Sequence, residues 1–158
     1  MNMKTEIRKI HAFDKDLTYA EYVRICVTAN MGTQSVYQKR HLESICKERD
    51  IPLSGKETKA EIYDILLESG MQPIDFEQMA SQYGNPQLCI GVASRAYQDA
   101  FGISYKDVKT LEKNGFLEVT GKYRSRSFGK YTYPSVYSAW QFVTVTDEEI
   151  RQSLQKGE

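Results

Sequence analysis

The chain has 158 residues, no formal net charge and 41% hydrophobic residues, which is typical of a folded globular protein and excludes a disordered tail. No apolar run approaches the roughly 20 residues that a membrane span needs, and residues 1–16 lack the apolar block of a secretory signal. We therefore expect an intracellular, cytoplasmic protein that makes no contact with a membrane.

Cysteines, histidines and carboxylates are not arranged for metal chemistry or catalysis. Cys26, Cys46 and Cys89 are widely spaced within apolar helical patterns, which predicts reduced core thiols rather than a disulfide framework or a zinc site. The acidic groups at 14–16 and 147–149 have the positions of caps and surface residues rather than of a Mg²⁺ site. No histidine accompanies a nucleophile as a catalytic triad requires. We expect no metal, no cofactor and no enzymatic activity.

Residues 1–37 are predicted to form an N-terminal, mainly helical segment. The apolar spacing over the first 15 residues suits either a short helix or a strand. Thr18 and Glu21 form a capping-box pair at the start of a helix predicted over residues 18–30, whose apolar stripe indicates that it packs on a core.

Residues 38–70 are predicted to form two helices, 40–49 and 58–68, around an extended loop, with Thr58 and Glu61 as a second capping-box pair. This unit resembles the SAP-type helix-extended-loop-helix family of DNA-binding modules. The residues that carry the resemblance are Leu42, Ile45, Arg49, Ile51-Pro52-Leu53, Ser54-Gly55 and the helix opening at 58–62. The chain departs from the family at Asp50, where glycine is usual, and at Lys56-Glu57, which lengthen the loop.

The SAP resemblance implies that the loop and the start of the second helix contact the DNA backbone. The residues concerned are Ser54, Gly55, Lys56, Thr58 and Lys59. Free N–H groups at a helix start, together with flanking lysines and a hydroxyl cap, favour phosphate. However, the acidic residues of this unit leave it without a net positive charge, which favours a packing or partner-binding role, and both alternatives stay open at this point.

Residues 74–146 are predicted to form a second unit after a short linker at 69–73, where glycine and proline break the helical pattern. Helices are predicted over residues 75–83, 87–101 and 104–114. The third begins at a capping-box-like pair, Ser104 and Asp107, and ends at Asn114-Gly115.

The helix over 104–114 has one apolar side and one basic side. Its spacing predicts that Tyr105, Val108 and Leu111 face a core. On the opposite side lie Lys106, Thr110 and Lys113, with Lys109 at the rim. A β-hairpin is predicted next, with strands over 116–120 and 131–145 joined by a loop at 121–130 that carries four cations and no acid.

A helix-turn-helix followed at once by a hairpin with a basic tip resembles the winged-helix DNA-binding superfamily. The residues that carry this resemblance are Ala96, Ala100, Gly102-Ile103-Ser104, Val108, Leu111 and Asn114-Gly115-Phe116-Leu117. It covers the second half of the chain. With a tail helix over 147–158, the predicted fold class is mainly α with a small β-hairpin, α+β.

The winged-helix resemblance implies that the helix over 104–114 enters the major groove of double-stranded DNA while the hairpin grips the adjoining backbone or minor groove. The DNA-binding residues so assigned are Ser104, Lys106, Lys109, Thr110, Lys113, Lys122, Arg124, Arg126 and Lys130. Residues 104–131 contain seven cations and three acids, a local net charge of +4 in a chain without net charge. Such a concentrated field suits oriented docking on a polyanion.

The sequence therefore predicts a DNA-binding protein, a transcriptional or replication accessory regulator. The alternative is a protein-interaction adaptor or inhibitor of phage or plasmid type, which the balanced charge and eleven tyrosines fit as well. Aromatic residues among the cations of the hairpin, such as Tyr123, Phe128, Tyr131 and Tyr133, can stack on unpaired bases, although we expect most of them to fill one face of a sheet.

Overall fold

The computed structural model of the chain describes residues 4–29, 36–83, 90–122 and 125–156. It begins with two short antiparallel strands, β1 (Ile10–Ala12) and β2 (Lys15–Leu17). Phe13 and Asp14 form the turn between them, both at positive φ. The apolar spacing near the N-terminus, which suits a helix or a strand, thus belongs to a β-hairpin.

Three helices follow: α1 (Tyr19–Thr28), α2 (Lys39–Glu48) and α3 (Lys59–Glu68). The capping boxes predicted at Thr18 and Thr58 are both present. In each, the carboxylate of the glutamate accepts a hydrogen bond from the backbone N–H of the threonine. Val23, Leu42 and Leu66 are fully buried between these helices, so the apolar stripes meet in a common core as predicted. Cys26 and Cys46 are free, buried thiols, whereas Cys89 lies outside the described residues.

The next three helices are α4 (Pro73–Tyr83), α5 (Ser94–Phe101) and α6 (Tyr105–Lys113). The helix predicted over 87–101 therefore begins later than expected. Its predicted first turns include Val92, which exchanges two backbone hydrogen bonds of 2.8 Å with Tyr137 in an antiparallel bridge. A residue held in such a bridge is extended and cannot be helical. Gly102, at a φ of 62°, then ends α5.

Four short strands within residues 119–122 and 125–137, which we call the wing, follow α6. Its strands are β3 (Val119–Lys122), β4 (Ser125–Ser127), β5 (Lys130–Thr132) and β6 (Ser135–Tyr137). β3 pairs with β6, and β4 pairs with β5. Lys122 lies opposite Ser135, and Ser125 opposite Thr132, so each side advances by the same number of residues and both ladders share one register.

The prediction that the second strand of the hairpin continues to residue 145 is wrong. Residues beyond β6 form a short helix, α7 (Ala139–Thr144), and the last helix is α8 (Asp147–Lys156). The Ser138 hydroxyl accepts the N–H of Gln141, and the Glu77 carboxylate accepts the N–H of Trp140, at 3.1 and 3.0 Å. These two caps satisfy the first amides of α7 and favour a helix over the β-propensity of its residues.

Buried apolar side chains from Ile10 to Ile150 form one continuous cluster, so the units predicted from the sequence share a core. The architecture is mainly helical with small antiparallel hairpins, which confirms the predicted α+β class. Among the described residues, no helix combines the length and apolar character needed to cross a membrane.

The carboxylate of Glu77 is buried at the junction of α1, α4 and α7. It accepts hydrogen bonds from the Tyr19 hydroxyl (3.2 Å), the Ser138 hydroxyl (2.8 Å) and the Trp140 N–H. Burial raises the pKa of Glu77 above its ordinary 4.5, although these donors oppose the rise. The folded protein thus holds the Glu77 proton more tightly than the unfolded chain does.

This raised pKa predicts a pH-dependent contribution to stability. The contribution of Glu77 should be full below pH 4.5 and should be lost as pH rises through its raised pKa. The difference in Tm between the unaltered protein and Glu77→Gln should accordingly shrink as pH rises, in thermal melts across that range. Glu68→Gln, at an exposed glutamate of α3, is the control. A difference that grows with pH would contradict the assignment.

Candidate nucleic-acid interface

The helix α6 is set by local signals at both ends. The Ser104 hydroxyl accepts the N–H of Asp107 at 3.1 Å, and the Asp107 carboxylate accepts the N–H of Ser104 at 3.1 Å. Val108 and Leu111 are fully buried, which fixes the rotation of the helix about its axis. Ser104 therefore caps α6, the role that the sequence predicts for it.

The outer side of α6 carries three lysines, Lys106, Lys109 and Lys113, which we call the basic face. Lys106 and Lys113 are exposed, and Lys109 is partly exposed. Thr110 lies beside them, but its hydroxyl donates to the carbonyl of Lys106 at 3.0 Å, so the hydroxyl is engaged with its own helix. The structure thus leaves Lys106 and Lys113 open to solvent, whereas the Lys109 ammonium is paired with Glu112 at 3.0 Å.

Tyr105 does not face the core as predicted, because 57% of it is exposed. At 100° per residue, Tyr105 lies about 90° from the midpoint between Val108 and Leu111, which is too far round the helix to reach the buried side. Its ring centroid instead lies 6.0 Å from the Lys109 ammonium. Tyr105 therefore extends the basic face with an aromatic edge.

The Glu112 carboxylate joins α6 to the wing. It accepts hydrogen bonds from the Lys109 ammonium (3.0 Å), the Ser135 hydroxyl (3.1 Å) and the Tyr137 hydroxyl (2.6 Å). Burial alone would raise the pKa of Glu112, but these three donors outweigh it and hold the pKa below its usual range. Glu112 is therefore an anion that fixes the position of the wing base against the helix.

The same contact brings cations of two elements together. Lys122 is the cross-strand partner of Ser135, and residues directly opposite each other in an antiparallel pair project from the same face. Because Ser135 contacts Glu112, Lys122 lies on the face of the wing that is turned toward α6. Lys109 of α6 thus contacts Glu112 directly, and Lys122 shares a face of the wing base with Ser135, which contacts the same carboxylate.

The outer part of the wing carries further cations. Arg126 and Lys130 are exposed, and the Arg126 guanidinium lies 5.8 Å from the centroid of the Tyr131 ring. Arg124, another predicted DNA-binding residue, lies outside the described residues, as does Tyr123.

In the SAP-like unit, a carboxylate of the chain itself occupies the predicted phosphate position. Glu57 accepts hydrogen bonds from the N–H and hydroxyl of Ser54, at 2.9 and 2.7 Å, and from the N–H of Gly55 at 3.0 Å. The Ser54 bonds, with that of Gly55, lower the pKa of Glu57 to about 2. The Thr58 hydroxyl is likewise engaged, since it accepts the N–H of Glu61. Lys56 is exposed beside this loop.

The prediction that Lys59 faces a phosphate requires correction. Lys59 is only 7% exposed, and its ammonium donates to the carbonyls of Ala29, at 2.6 Å, and Tyr37. These carbonyls follow α1 and precede α2, so Lys59 ties three helices together from inside. Burial lowers the pKa of Lys59, and the ammonium does not face solvent.

Asp50 has the backbone geometry that glycine would supply. Its φ is 57°, in the left-handed region that glycine adopts without strain. Asp50 therefore adopts a backbone conformation that a glycine at this position could take without strain.

A cleft of ≈ 570 Å³ lies away from the basic face, between the N-terminal hairpin and α5. Two polar side chains on its rim have partners, since His11 Nδ1 lies 2.9 Å from the Asp16 carboxylate and Arg95 pairs with Asp99 at 3.0 Å. Across the described ranges, no three His, Cys, Asp or Glu side chains gather as a metal site would require.

Only part of the Glu112 contact can be predicted from the sequence. Lys109 and Glu112 are three residues apart, which predicts an ion pair on the helix surface. Ser135 and Tyr137 are more than twenty residues further along the chain, and only the tertiary fold brings their hydroxyls to the same carboxylate.

Tyr137→Phe tests whether the Glu112 contact holds the wing base. Loss of a buried hydrogen bond to a charged group should lower the free energy of unfolding by about 1.5–3 kcal/mol, measured by urea denaturation. Tyr133→Phe is the matched control, because Tyr133 is half exposed and its hydroxyl should be dispensable. Equal effects of the two substitutions would show that the contact adds no stability.

Glu57→Ala tests whether the Ser54–Gly55 donors form an anion site. With the carboxylate removed, inorganic phosphate should raise the Tm of the variant more than that of the unaltered protein, because ligands that bind only the folded state stabilise it. Glu61→Ala, which opens a helix cap without uncovering those donors, is the control. An equal response of all three proteins would show that the loop has no affinity for phosphate.

Comparison with known proteins identified no relative of this chain. No protein-family model, curated protein or solved structure matches the chain. The candidate interface is therefore defined by its own geometry: a helix with three outward lysines, joined through Glu112 to a basic β-ribbon.

Proposed function

We propose that the protein is a DNA-binding regulator of transcription or replication, which docks α6 and the wing on double-stranded DNA in the manner of a winged helix. The proposal depends most on one observation. Glu112 joins Lys109 of α6 to Ser135 of the wing base, and Lys122 is the cross-strand partner of Ser135.

The order of elements in the second half of the chain supports this reading. Helix α4 is followed by a bridged residue, Val92, then by α5 and α6, and finally by β3 and β6. Val92 pairs with Tyr137 of β6, so a third backbone segment borders the ribbon. Three helices with a small antiparallel sheet of this order are the arrangement that a winged-helix unit would have.

The orientation of α6 also supports DNA binding. Its apolar side is buried and α8 packs near its end, where the Asn114 amide donates to the Ser153 carbonyl at 3.0 Å. Lys106 and Lys113 nevertheless stay exposed, so a groove of DNA can approach this side of the helix. An α-helix fits the major groove of B-DNA.

The chemistry of the surface favours phosphate contacts over base readout. The outward side of α6 carries lysines and no Asn, Gln or Arg. Besides lysine, Asn, Gln and Arg are the side chains that most readily form bidentate contacts with base edges. The wing contributes cations and no acid over residues 119–137. We therefore expect affinity that is dominated by the backbone, with modest sequence specificity.

The SAP-like unit is assigned a packing role in this proposal. Glu57 fills the loop that would take a phosphate, and Lys59 is buried among carbonyls.

The charge of the chain as a whole is zero, so a cationic surface on one side and compensating acids elsewhere orient the protein on a polyanion.

The salt dependence of binding tests the proposal. Lys106→Gln with Lys113→Gln should flatten the slope of log affinity against log salt on duplex DNA by roughly 2, because each lost phosphate contact removes about 0.9. Fluorescence anisotropy of a labelled duplex measures this slope. Lys47→Gln with Arg49→Gln is the matched control, since it removes the same charge from exposed positions at the end of α2.

Two results would contradict the proposal. Equal slopes for both double variants would remove α6 from the interface. An absence of any retarded band on random duplex DNA at low salt would instead favour the protein-interaction adaptor, whose surface would be the exposed aromatic residues near the basic face.

A further inference from the structure

We infer that the outer wing, β4 and β5 with their turn, is a stacking platform for unpaired bases, so that the protein prefers duplex DNA containing an unpaired segment. This inference rests on the proposed function and specifies its substrate. The observations that carry it are three exposed aromatic side chains, their register with the basic surface, and the geometry of the turn.

The aromatic residues of the outer wing do not fill a core. Phe128 is 101% exposed, Tyr131 53% and Tyr133 54%. The expectation that hairpin aromatics fill a sheet face holds at Tyr137, which is buried on β6, whereas Phe142 is buried on helix α7. Half or more of each of these three rings is therefore exposed to solvent.

Phe128 occupies a turn position at which other residue types are favoured. It forms the turn between Ser127 and Lys130 with Gly129, at φ values of 53° and 77°. Two-residue hairpin turns with both central residues at positive φ favour Asn-Gly, and a bulky residue is disfavoured there. The turn thus holds an aromatic ring at the wing tip at a conformational cost that packing does not offset.

One face of the outer wing combines aromatic and cationic groups. Arg126 and Tyr131 are cross-strand partners and share a face, with the guanidinium near the ring. Tyr133 follows at the next alternate position. Tyr133 lies just beyond the end of β5. Alternate residues of an extended chain are about 6.6–6.8 Å apart, twice the roughly 3.4 Å spacing of stacked bases, which is the spacing that a base inserted between two rings requires.

This aromatic face continues the basic surface. The two ladders of the wing share one register, so Tyr131 and Tyr133 have the same alternation as Ser135, which contacts Glu112 beside the basic face. Lys122, Arg126 and Lys130 supply the charge that complements phosphate. Cations that follow a backbone and rings that stack on bases are the combination used by proteins that bind single strands.

Phe128→Asn separates stacking from folding, because it removes the ring and places the favoured residue in the turn. The probes are a labelled duplex and a duplex of the same length with a central bubble of mismatched thymines, which keeps the number of phosphates equal. We expect the unaltered protein to bind the bubble more tightly. Phe128→Asn should weaken bubble binding roughly 5- to 150-fold and leave binding of the paired duplex unchanged.

Two further variants complete the experiment. Phe13→Asn is the matched control, since Phe13 is the first residue of a positive-φ turn in the β1–β2 hairpin and should leave both affinities unchanged. Phe128→Trp should retain the preference for the bubble. Its added indole fluorescence, compared with the single Trp of the unaltered chain, should be quenched by the bubble and not by the duplex.

The outcomes distinguish failure of the stacking platform from failure of the proposed DNA binding. Equal affinity for both probes, or an equal loss on both in Phe128→Asn, overturns the stacking platform while DNA binding itself stands. Failure to bind either probe overturns the proposed function and the stacking platform together.

Discussion

The arrangement of this protein's basic surface depends on one partly buried carboxylate. Glu112 accepts a lysine of its own helix and two hydroxyls of the wing, and its side chain is 24% exposed. Hydrogen bonds to an ionised group of low exposure are stronger than those between neutral partners. The contact pairs the acid with Lys109 and fixes α6 against the base of the wing.

Around this contact, charged and polar groups that look available in the sequence are used internally. Lys59 ties α3 to the ends of α1 and α2, Glu57 fills the loop before α3, and Glu77 caps α7 from α4. Each is positioned by hydrogen bonds within the chain. On α6 and the described part of the outer wing, the cations that stay exposed are Lys106, Lys113, Arg126 and Lys130, and the proposed function assigns them to a polyanion.

The parts of the fold that local chemistry decides are predictable from the sequence. The caps at Thr18, Thr58 and Ser104 involve residues three positions apart, and each is confirmed. Predictions are wrong where a distant group intervenes. Helix α7 has strand-forming residues, yet the Glu77 carboxylate, sixty-three residues before Trp140, caps it. Lys59 is likewise withdrawn from the surface by carbonyls that its own segment does not contain. At the site, the basic face is predictable from periodicity, whereas the joining of α6 and the wing through Ser135 is not.

The most direct test of a single DNA-binding surface is to map backbone amide chemical shifts by NMR while a short duplex is added to the full chain. The proposed docking predicts changes concentrated in residues 104–113, 119–122 and 125–132, which belong to two elements that meet at Glu112, with the loop at 54–59 unaffected. Changes confined to that loop, or spread over α2 and α3 while α6 is unaffected, would contradict the account.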